Sequence, residues 1–183
     1  MRRLRFIEGR RRLHLSFAHG AAKAHLMTSE NSAPRENANA LSRRIQALVD
    51  DFSRESDWEN RYKRVIDMGK NLPPLPAALR DEKYKVKGCQ SQVWLHAELS
   101  PDGFMVLHAD SDAVIVRGLV AVLVHVFSGA RPDEILQTKP TFLADIGFDT
   151  HLSPSRANGL NAMIKQIYLY ATAFQALAAL PKR

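Results

Sequence analysis

The sequence predicts an α+β domain in which a small antiparallel sheet of about three strands packs against several helices. Apolar residues recur at helical spacing near both ends of the predicted domain, in residues 41–52 and 160–174. Between these segments, two strand-like stretches are separated by Ser100-Pro101-Asp102-Gly103, which is typical of a hairpin. This order of elements, with two helices, a small sheet and then further helices, is typical of an α+β fold. We place the single domain at residues 40–183.

The first two helices are predicted from their periodicity and their end signals. The first begins near residue 40, because apolar residues share one face as far as Phe52. The second begins at Asp57, which is a good N-cap residue, and Gly69 stands where a C′ glycine would end it. The proline-rich segment 71–76 must then leave helical geometry, because proline removes backbone donors and favours extended conformations before it.

Three segments are predicted to form the sheet. Residues 83–87 alternate polar and apolar side chains and indicate a short edge strand. Residues 93–99 and 104–109 are the two arms of the hairpin. The centre of the sheet is therefore expected to be antiparallel.

Four helices are expected after the sheet. Either Ser111 or Asp112 is positioned to cap a helix over residues 113–127. Short helices are predicted to begin near Pro132 and over residues 140–146. The last helix has Ser153 as its N-cap and proline at its first position, and one face carries an apolar stripe made of Leu160, Met163, Ile164, Ile167, Tyr168 and Phe174.

Composition limits the classes of protein to which the chain can belong. Of its 183 residues, 45% are hydrophobic and 25% charged, which is ordinary for one globular domain. The longest apolar run, residues 113–127, contains Arg117 and His125 and is shorter than the roughly 20 residues of a membrane-spanning helix. A single cysteine excludes an intrachain disulfide and fits a reducing compartment. We therefore expect a cytoplasmic protein that does not associate with membranes.

The positive charge is concentrated at the N-terminus. The net charge is +7, but residues 1–29 hold seven basic residues and one acidic residue, which leaves the remainder nearly neutral. We predict that residues 1–39 form a basic, disordered extension, and the domain itself gives no support for nucleic-acid binding. The extension has three interpretations: a transit peptide, which would place the protein in an organelle matrix; an arm that contacts an anionic partner; or a stretch upstream of a natural start at Met27.

Cys89 is the residue best suited to chemistry. Gly88 before it permits a positive φ, and Gln90-Ser91-Gln92 after it form a polar turn, where packing rarely selects cysteine. These neighbours favour a reactive thiol on a loop over a buried structural cysteine. The neighbouring lysines at positions 83, 85 and 87 would lower the pKa of the thiol, whereas burial of the loop would raise it. The residues themselves leave that balance open.

Other kinds of site are less well supported. A lone thiolate without a CxxC or HxxxH partner does not supply the ligands of a zinc or iron–sulfur site. The scattered histidines are more typical of surface and core positions. His96 and His108 are expected to be cross-strand neighbours, however, so a Cys/His-dependent hydrolase or transferase is kept as the alternative.

Two further polar residues merit attention. Asp112 has an adequate structural explanation as a helix cap. Arg156 falls in the first turn of the last helix, where the helix dipole does not favour a cation. An anion, a carbonyl group or a partner's carboxylate is therefore a reasonable ligand for Arg156.

Four blocks in order show that residues 40–174 resemble the SufE family, the sulfur-acceptor proteins of iron–sulfur cluster assembly, whose fold is similar to that of IscU-type scaffolds. The blocks are Arg61-Tyr62 with Leu72-Pro73, then Gly88-Cys89-Gln90-Ser91-Gln92-Val93-Trp94, then Asp110-Ser111-Asp112-Ala113 with Gly118-Leu119, and finally Leu152-Ser153-Pro154-Ser155-Arg156 with Gly159-Leu160.

The resemblance implies that Cys89 accepts a persulfide sulfur from a cysteine desulfurase of the SufS or CsdA kind, stimulates that enzyme and passes the sulfur on to an iron–sulfur scaffold. Pyridoxal phosphate would reside on the desulfurase, and this chain would need no cofactor or metal of its own. The resemblance also implies an apolar shelter for the resting cysteine, for which residues 73–76 and Trp94 are candidates. The supporting residues it implies are Gly88, Gln90, Ser91, Asp112 and Arg156, in a monomer or weak homodimer.

Overall fold

The computed structural model describes residues 33–179 of the chain, with side chains from residue 40 onward. The predicted extension, residues 1–39, therefore lies outside the described residues, apart from the backbone of residues 33–39. In the described part, no helix has the length and apolar character needed to cross a membrane.

The α+β class is confirmed, since helices pack against a small antiparallel sheet. The strands are β1 (Val93–Leu99) and β2 (Met105–Ser111). The helices are α1 (Ala33–Ser53), α2 (Trp58–Lys70), α3 (Val114–Phe127), α4 (Pro132–Gln137), α5 (Phe142–Asp145), α6 (Phe148–His151) and α7 (Pro154–Ala178). The single turn α6, which the sequence pattern did not predict, begins after Gly147, whose φ of 88° is left-handed.

The prediction of about three strands is wrong by one among the described residues, where the sheet has two strands. The segment expected to be the third strand begins instead as a 3-10 turn over Glu82–Tyr84. The Asp81 carboxylate caps this turn by accepting a hydrogen bond from the Lys83 N–H at 3.0 Å. Only Lys85 then pairs with the sheet, through an isolated bridge to Trp94. The aspartate satisfies a backbone donor locally, and so competes with a longer ladder.

Helix α3 occupies the centre of the core, and most of its side chains are fully buried. It crosses α2 where Gly118 faces Val65: a Cβ atom on Gly118 would lie only 2.3 Å from the Val65 carbonyl oxygen. Gly69 contributes to the same crossing from the last turn of α2. The prediction that Gly69 is a C′ residue is therefore wrong, because close helix packing, not chain reversal, requires a glycine there.

The helix starts show which local signals were reliable. Asp57 caps α2 as predicted, and its Oδ1 accepts a hydrogen bond from the Asn60 N–H at 2.8 Å. Ser153 does precede α7 with proline at the first position, although its side chain makes no capping hydrogen bond. The predicted cap of α3 is wrong, since Ala113 occupies that position. Ser111 and Asp112 are engaged elsewhere, as described below.

Candidate functional site

The cysteine loop, residues 86–92, connects the isolated bridge at Lys85 to β1 and brings Cys89 to the surface of the domain. A hydrogen bond of 2.8 Å from the Val86 N–H to the Val93 carbonyl closes the base of the loop. Gly88 has a φ of 92°, a left-handed conformation of the kind that glycine permits. A Cβ atom at Gly88 would meet nothing nearer than 3.8 Å. Glycine is therefore required there by backbone geometry and not by lack of space.

The thiol of Cys89 points inward, toward helix α7. Its Sγ donates a hydrogen bond to the carbonyl oxygen of Gly159 at 3.5 Å, and a Cβ atom on Gly159 would lie 3.4 Å from that sulfur. Cys89 is half-buried. Burial raises the pKa of its thiol, which answers the question that the nearby lysines had left open. The resting thiol is thus neutral, and the missing side chain of Gly159 makes room for it.

Cys89 faces a cavity of about 370 Å³ between the cysteine loop, the start of α3 and the first turns of α7. The cavity is lined by Cys89, Gln90, Ser91, Ala113, Ile115, Val116, Leu119, Ser153, Ser155, Arg156, Gly159 and Met163. Its apolar wall comes from α3 and α7. Residues 73–76 and Trp94, the expected candidates for the shelter, do not line this cavity; residues 73–75 instead border a separate cavity together with residues 106–109 of β2.

Arg156, at the edge of this cavity, is held by Tyr62 of helix α2. Its Nη1 donates a hydrogen bond to the Tyr62 hydroxyl at 2.5 Å, and its guanidinium carbon lies 5.7 Å from the centre of the tyrosine ring. Tyr62 is in turn packed edge-on against Trp58, with ring centroids 6.1 Å apart. Within the described part of the chain, Arg156 forms no ion pair with a carboxylate. Sequence reasoning did not identify Tyr62 as a site residue, because the pattern of α2 explained it as packing.

Asp112 does not line the cavity but fastens the far end of the cysteine loop. Its Oδ1 accepts a hydrogen bond from the Gln92 N–H at 3.0 Å. The Ser111 hydroxyl donates to the Gln92 carbonyl at 2.8 Å. These bonds replace the helix cap that one or the other of the two residues was expected to provide. They join the loop to the junction between β2 and α3.

Asp110 is a buried carboxylate beneath this junction. It is 2% exposed, and Arg117 places its Nε 3.1 Å from one carboxylate oxygen. Arg80 pairs with the other oxygen and lies over the indole of Trp94, 6.0 Å from the ring centre. The Asp110 carboxylate therefore links the segment after the prolines, the end of β2 and helix α3.

None of the histidines that the structure describes forms a catalytic pair with Cys89. His96 and His108 are directly opposite each other in the sheet, as predicted, with ring centroids 6.2 Å apart. His108 Nε2 is hydrogen-bonded to Glu98 Oε1 at 2.7 Å, and burial lowers the pKa of His96. No described histidine lines the cavity of Cys89. Residues 33–179 also contain no cluster of three or more histidine, cysteine or acidic residues able to hold a metal ion.

A family model and a curated relative point to the same family, and a solved structure shares the fold. A family model described as "SufE: Fe-S metabolism associated domain" matches residues 46–171. The chain is 43% identical over 127 residues to an uncharacterized SufE-like protein of Rhizobium meliloti (strain 1021), an alignment that covers 67% of this chain and 91% of the relative. The solution structure of a hypothetical protein from Thermus thermophilus is similar in fold, with a TM-score of 0.62 and 21% identity, covering 73% of this chain and 96% of that one.

Proposed function

The chain belongs to the SufE family, whose domain is associated with Fe–S metabolism, and on this premise we propose that Cys89 accepts a sulfane sulfur from the persulfide of a cysteine desulfurase. The observation that best supports this proposal is the position of the thiol, which lies on a loop and rests in a cavity whose inner wall is formed by apolar side chains of α3 and α7. Such a site allows contact with a second protein and then shields the product from other thiols.

The transfer is a thiol–disulfide exchange in which one sulfur atom moves from the donor cysteine to Cys89. The Cys89 thiolate attacks the terminal sulfur of the donor persulfide and forms a new S–S bond. The bond between that sulfur and the donor cysteine breaks, and the donor leaves with the electron pair as a thiolate. The proton of the Cys89 thiol passes to solvent or to the departing thiolate.

Attack requires the cysteine loop to leave its cavity, because the thiol faces inward in the resting structure. Among the contacts that hold the loop are the hydrogen bond from Cys89 to Gly159 and the hydrogen bonds that tie Gln92 to Ser111 and Asp112. The hydrogen bond from the thiol to the Gly159 carbonyl is weak. A docking desulfurase therefore breaks only a weak contact when it exposes the thiol. Gly88, with its left-handed backbone, is the natural hinge on the other side of Cys89.

In this proposal the chain is a carrier and an activator, and not an enzyme. Pyridoxal phosphate resides on the desulfurase, which turns over faster because its persulfide is removed. The chain has a single cysteine, so it carries sulfur but lacks the thiolate set on which a scaffold assembles a cluster. A scaffold protein that builds Fe–S clusters is the acceptor to which the sulfur is passed.

The direct functional test is release of alanine from cysteine by a cysteine desulfurase, measured with and without the full chain. The wild-type protein is expected to stimulate the reaction several-fold, whereas Cys89→Ser should not. A His108→Ala variant, altered on the outer face of the sheet, is the matched control and should stimulate as the wild type does. Equal stimulation by Cys89→Ser and the wild type would contradict the proposal.

A further inference from the structure

The cavity that receives Cys89 contains one charged group among its described lining residues, the guanidinium of Arg156. The rest of the lining consists of apolar side chains, small residues, hydroxyl groups and the Gln90 amide. A partly buried cation such as Arg156 is unfavourable unless an anion or a strong acceptor accompanies it. What this cation binds is therefore a question that the resting structure raises.

Tyr62 positions Arg156 without neutralising it. The tyrosine hydroxyl accepts one hydrogen bond, and the ring supports the guanidinium at 5.7 Å. The remaining guanidinium donors have no carboxylate partner among the described residues. Tyr62 itself is braced by Trp58, whose ring also packs against Phe148. The guanidinium is thus held in place by a neutral, rigid neighbour, and its charge stays available.

Loading with sulfur changes the charge of the group that enters this cavity. The resting thiol is neutral, since burial opposes its ionisation. A hydropersulfide is a stronger acid than the parent thiol, because the negative charge on its terminal sulfur is better stabilised. That terminal sulfur lies about 2.05 Å beyond Sγ, at the length of an S–S bond. The loaded cysteine therefore returns an anion to a cavity whose one described charged residue is a cation.

We propose that Arg156 is the counter-ion of the sulfur-loaded form of Cys89 and that Tyr62 is the residue that positions it. This inference rests on the proposed function, because the anion exists only when Cys89 carries sulfur. Arg156 retains the anionic persulfide in the cavity, and Tyr62 acts only through Arg156. The neutral Gly159 carbonyl holds the unloaded thiol, so different groups recognise the two states of one cysteine.

The test uses the full chain loaded chemically, without any desulfurase. Sodium tetrasulfide passes one sulfur to the Cys89 thiolate and leaves as trisulfide, and the excess is removed by gel filtration. The rate at which iodoacetamide alkylates the persulfide is then followed against pH by intact mass. Because the chain has one cysteine, each mass increment reports on this site alone.

Removal of the counter-ion should raise the pH midpoint of persulfide alkylation. For Arg156→Gln we expect a rise of about one pH unit, the lower end of the effect of a nearby opposite charge. Arg156→Lys keeps the charge and should restore most of the wild-type midpoint. Tyr62→Phe should move the midpoint in the same direction as Arg156→Gln, but less. Lys165→Gln removes an exposed cation from the same helix and should leave the midpoint unchanged.

Wild-type midpoints in both Arg156→Gln and Tyr62→Phe would overturn this inference. So would an equal shift in Lys165→Gln, since that would indicate a general effect of net charge. If Arg156→Gln does not fold, Arg156→Lys and Tyr62→Phe provide the comparison. Failure of the proposed function is a separate result: the protein would take sulfur from tetrasulfide but from no desulfurase.

Discussion

The sulfur of Cys89 lies 3.5 Å from the carbonyl oxygen of Gly159, at a point where a methyl group on Gly159 would lie 3.4 Å from the same sulfur. A loop and a helix that are 70 residues apart in the chain thus fit together around one thiol. The thiol therefore packs close to the backbone of α7, at a residue without a side chain, where a methyl group would touch the sulfur at the near limit of ordinary contact. This contact determines how readily the cysteine is exposed, and several measurable consequences follow from it.

Gly159→Ala should expose Cys89 without destabilising the protein. The new methyl group crowds the sulfur, whereas the helix gains about 0.8–1 kcal/mol in propensity when glycine is replaced by alanine. We expect faster alkylation of the unloaded thiol by iodoacetamide, by several-fold, at an unchanged or higher thermal midpoint. Asn158→Ala, exposed on the same turn, is the control and should react at the wild-type rate. Slower alkylation of Gly159→Ala would contradict this packing of the thiol against Gly159.

The unloaded thiol should titrate above the pH of an ordinary cysteine, because burial raises its pKa. The pH profile of alkylation of the native protein should therefore lie to the alkaline side of the same profile in urea. The unfolded chain ionises first, so folding stability should begin to fall as the pH rises through the ordinary thiol pKa and continue to fall up to the native one. Cys89→Ser should lose this part of the pH dependence, and an unchanged profile in that variant would refute the assignment.

Asp112→Ala should loosen the cysteine loop by removing the acceptor of the Gln92 N–H. Loss of one such bond at an exposed residue is expected to cost about 0.5–1.5 kcal/mol. Hydrogen exchange of the Gln92 amide should be faster, and Cys89 should be alkylated more quickly. Asp102→Ala, in the exposed turn of the hairpin, is the matched control and should change neither rate. A helix-capping role for Asp112 would instead be indicated by faster exchange confined to the first turn of α3.

Gly118→Ala should be among the most damaging single substitutions in the domain. Its Cβ atom would lie 2.3 Å from the Val65 carbonyl oxygen and 2.6 Å from a Val65 methyl carbon, so α2 and α3 would have to separate. Overpacking of this kind costs roughly 1–3 kcal/mol or more, which denaturant unfolding can measure. Val114→Ala, at an exposed position on the same helix, should change stability by less than about 0.5 kcal/mol.

The sequence was informative where a local rule determines the structure. Gly88 and Cys89 could be placed on a turn because a glycine followed by polar loop residues is typical of a left-handed backbone position. Asp57 could be identified as a cap from its position before an apolar face. By the same reasoning either Ser111 or Asp112 should have capped α3, but both side chains form hydrogen bonds with Gln92 of the neighbouring loop instead. Local signals describe what a residue is able to do, and tertiary contacts decide between the alternatives.

The parts of the site that could not be predicted depend on contacts between distant segments. Tyr62 and Arg156 are 94 residues apart, and the local sequence around each residue does not indicate the other as its partner. The cavity wall comes from α3 and α7, whereas proximity in sequence had pointed to the prolines. The prediction of a third strand failed for a different reason. The Asp81 side chain stabilises a 3-10 turn there, which the alternating pattern of side chains does not reveal.

The most direct test of the central claim is the intact mass of the full chain after incubation with a cysteine desulfurase and cysteine. We predict a gain of one sulfur mass on the wild-type protein, reversed by a reductant, and no gain on Cys89→Ser. Transfer to the wild type alone would establish Cys89 as a sulfur acceptor. An equal gain on Cys89→Ser, or none on the wild type with any desulfurase tested, would contradict the claim.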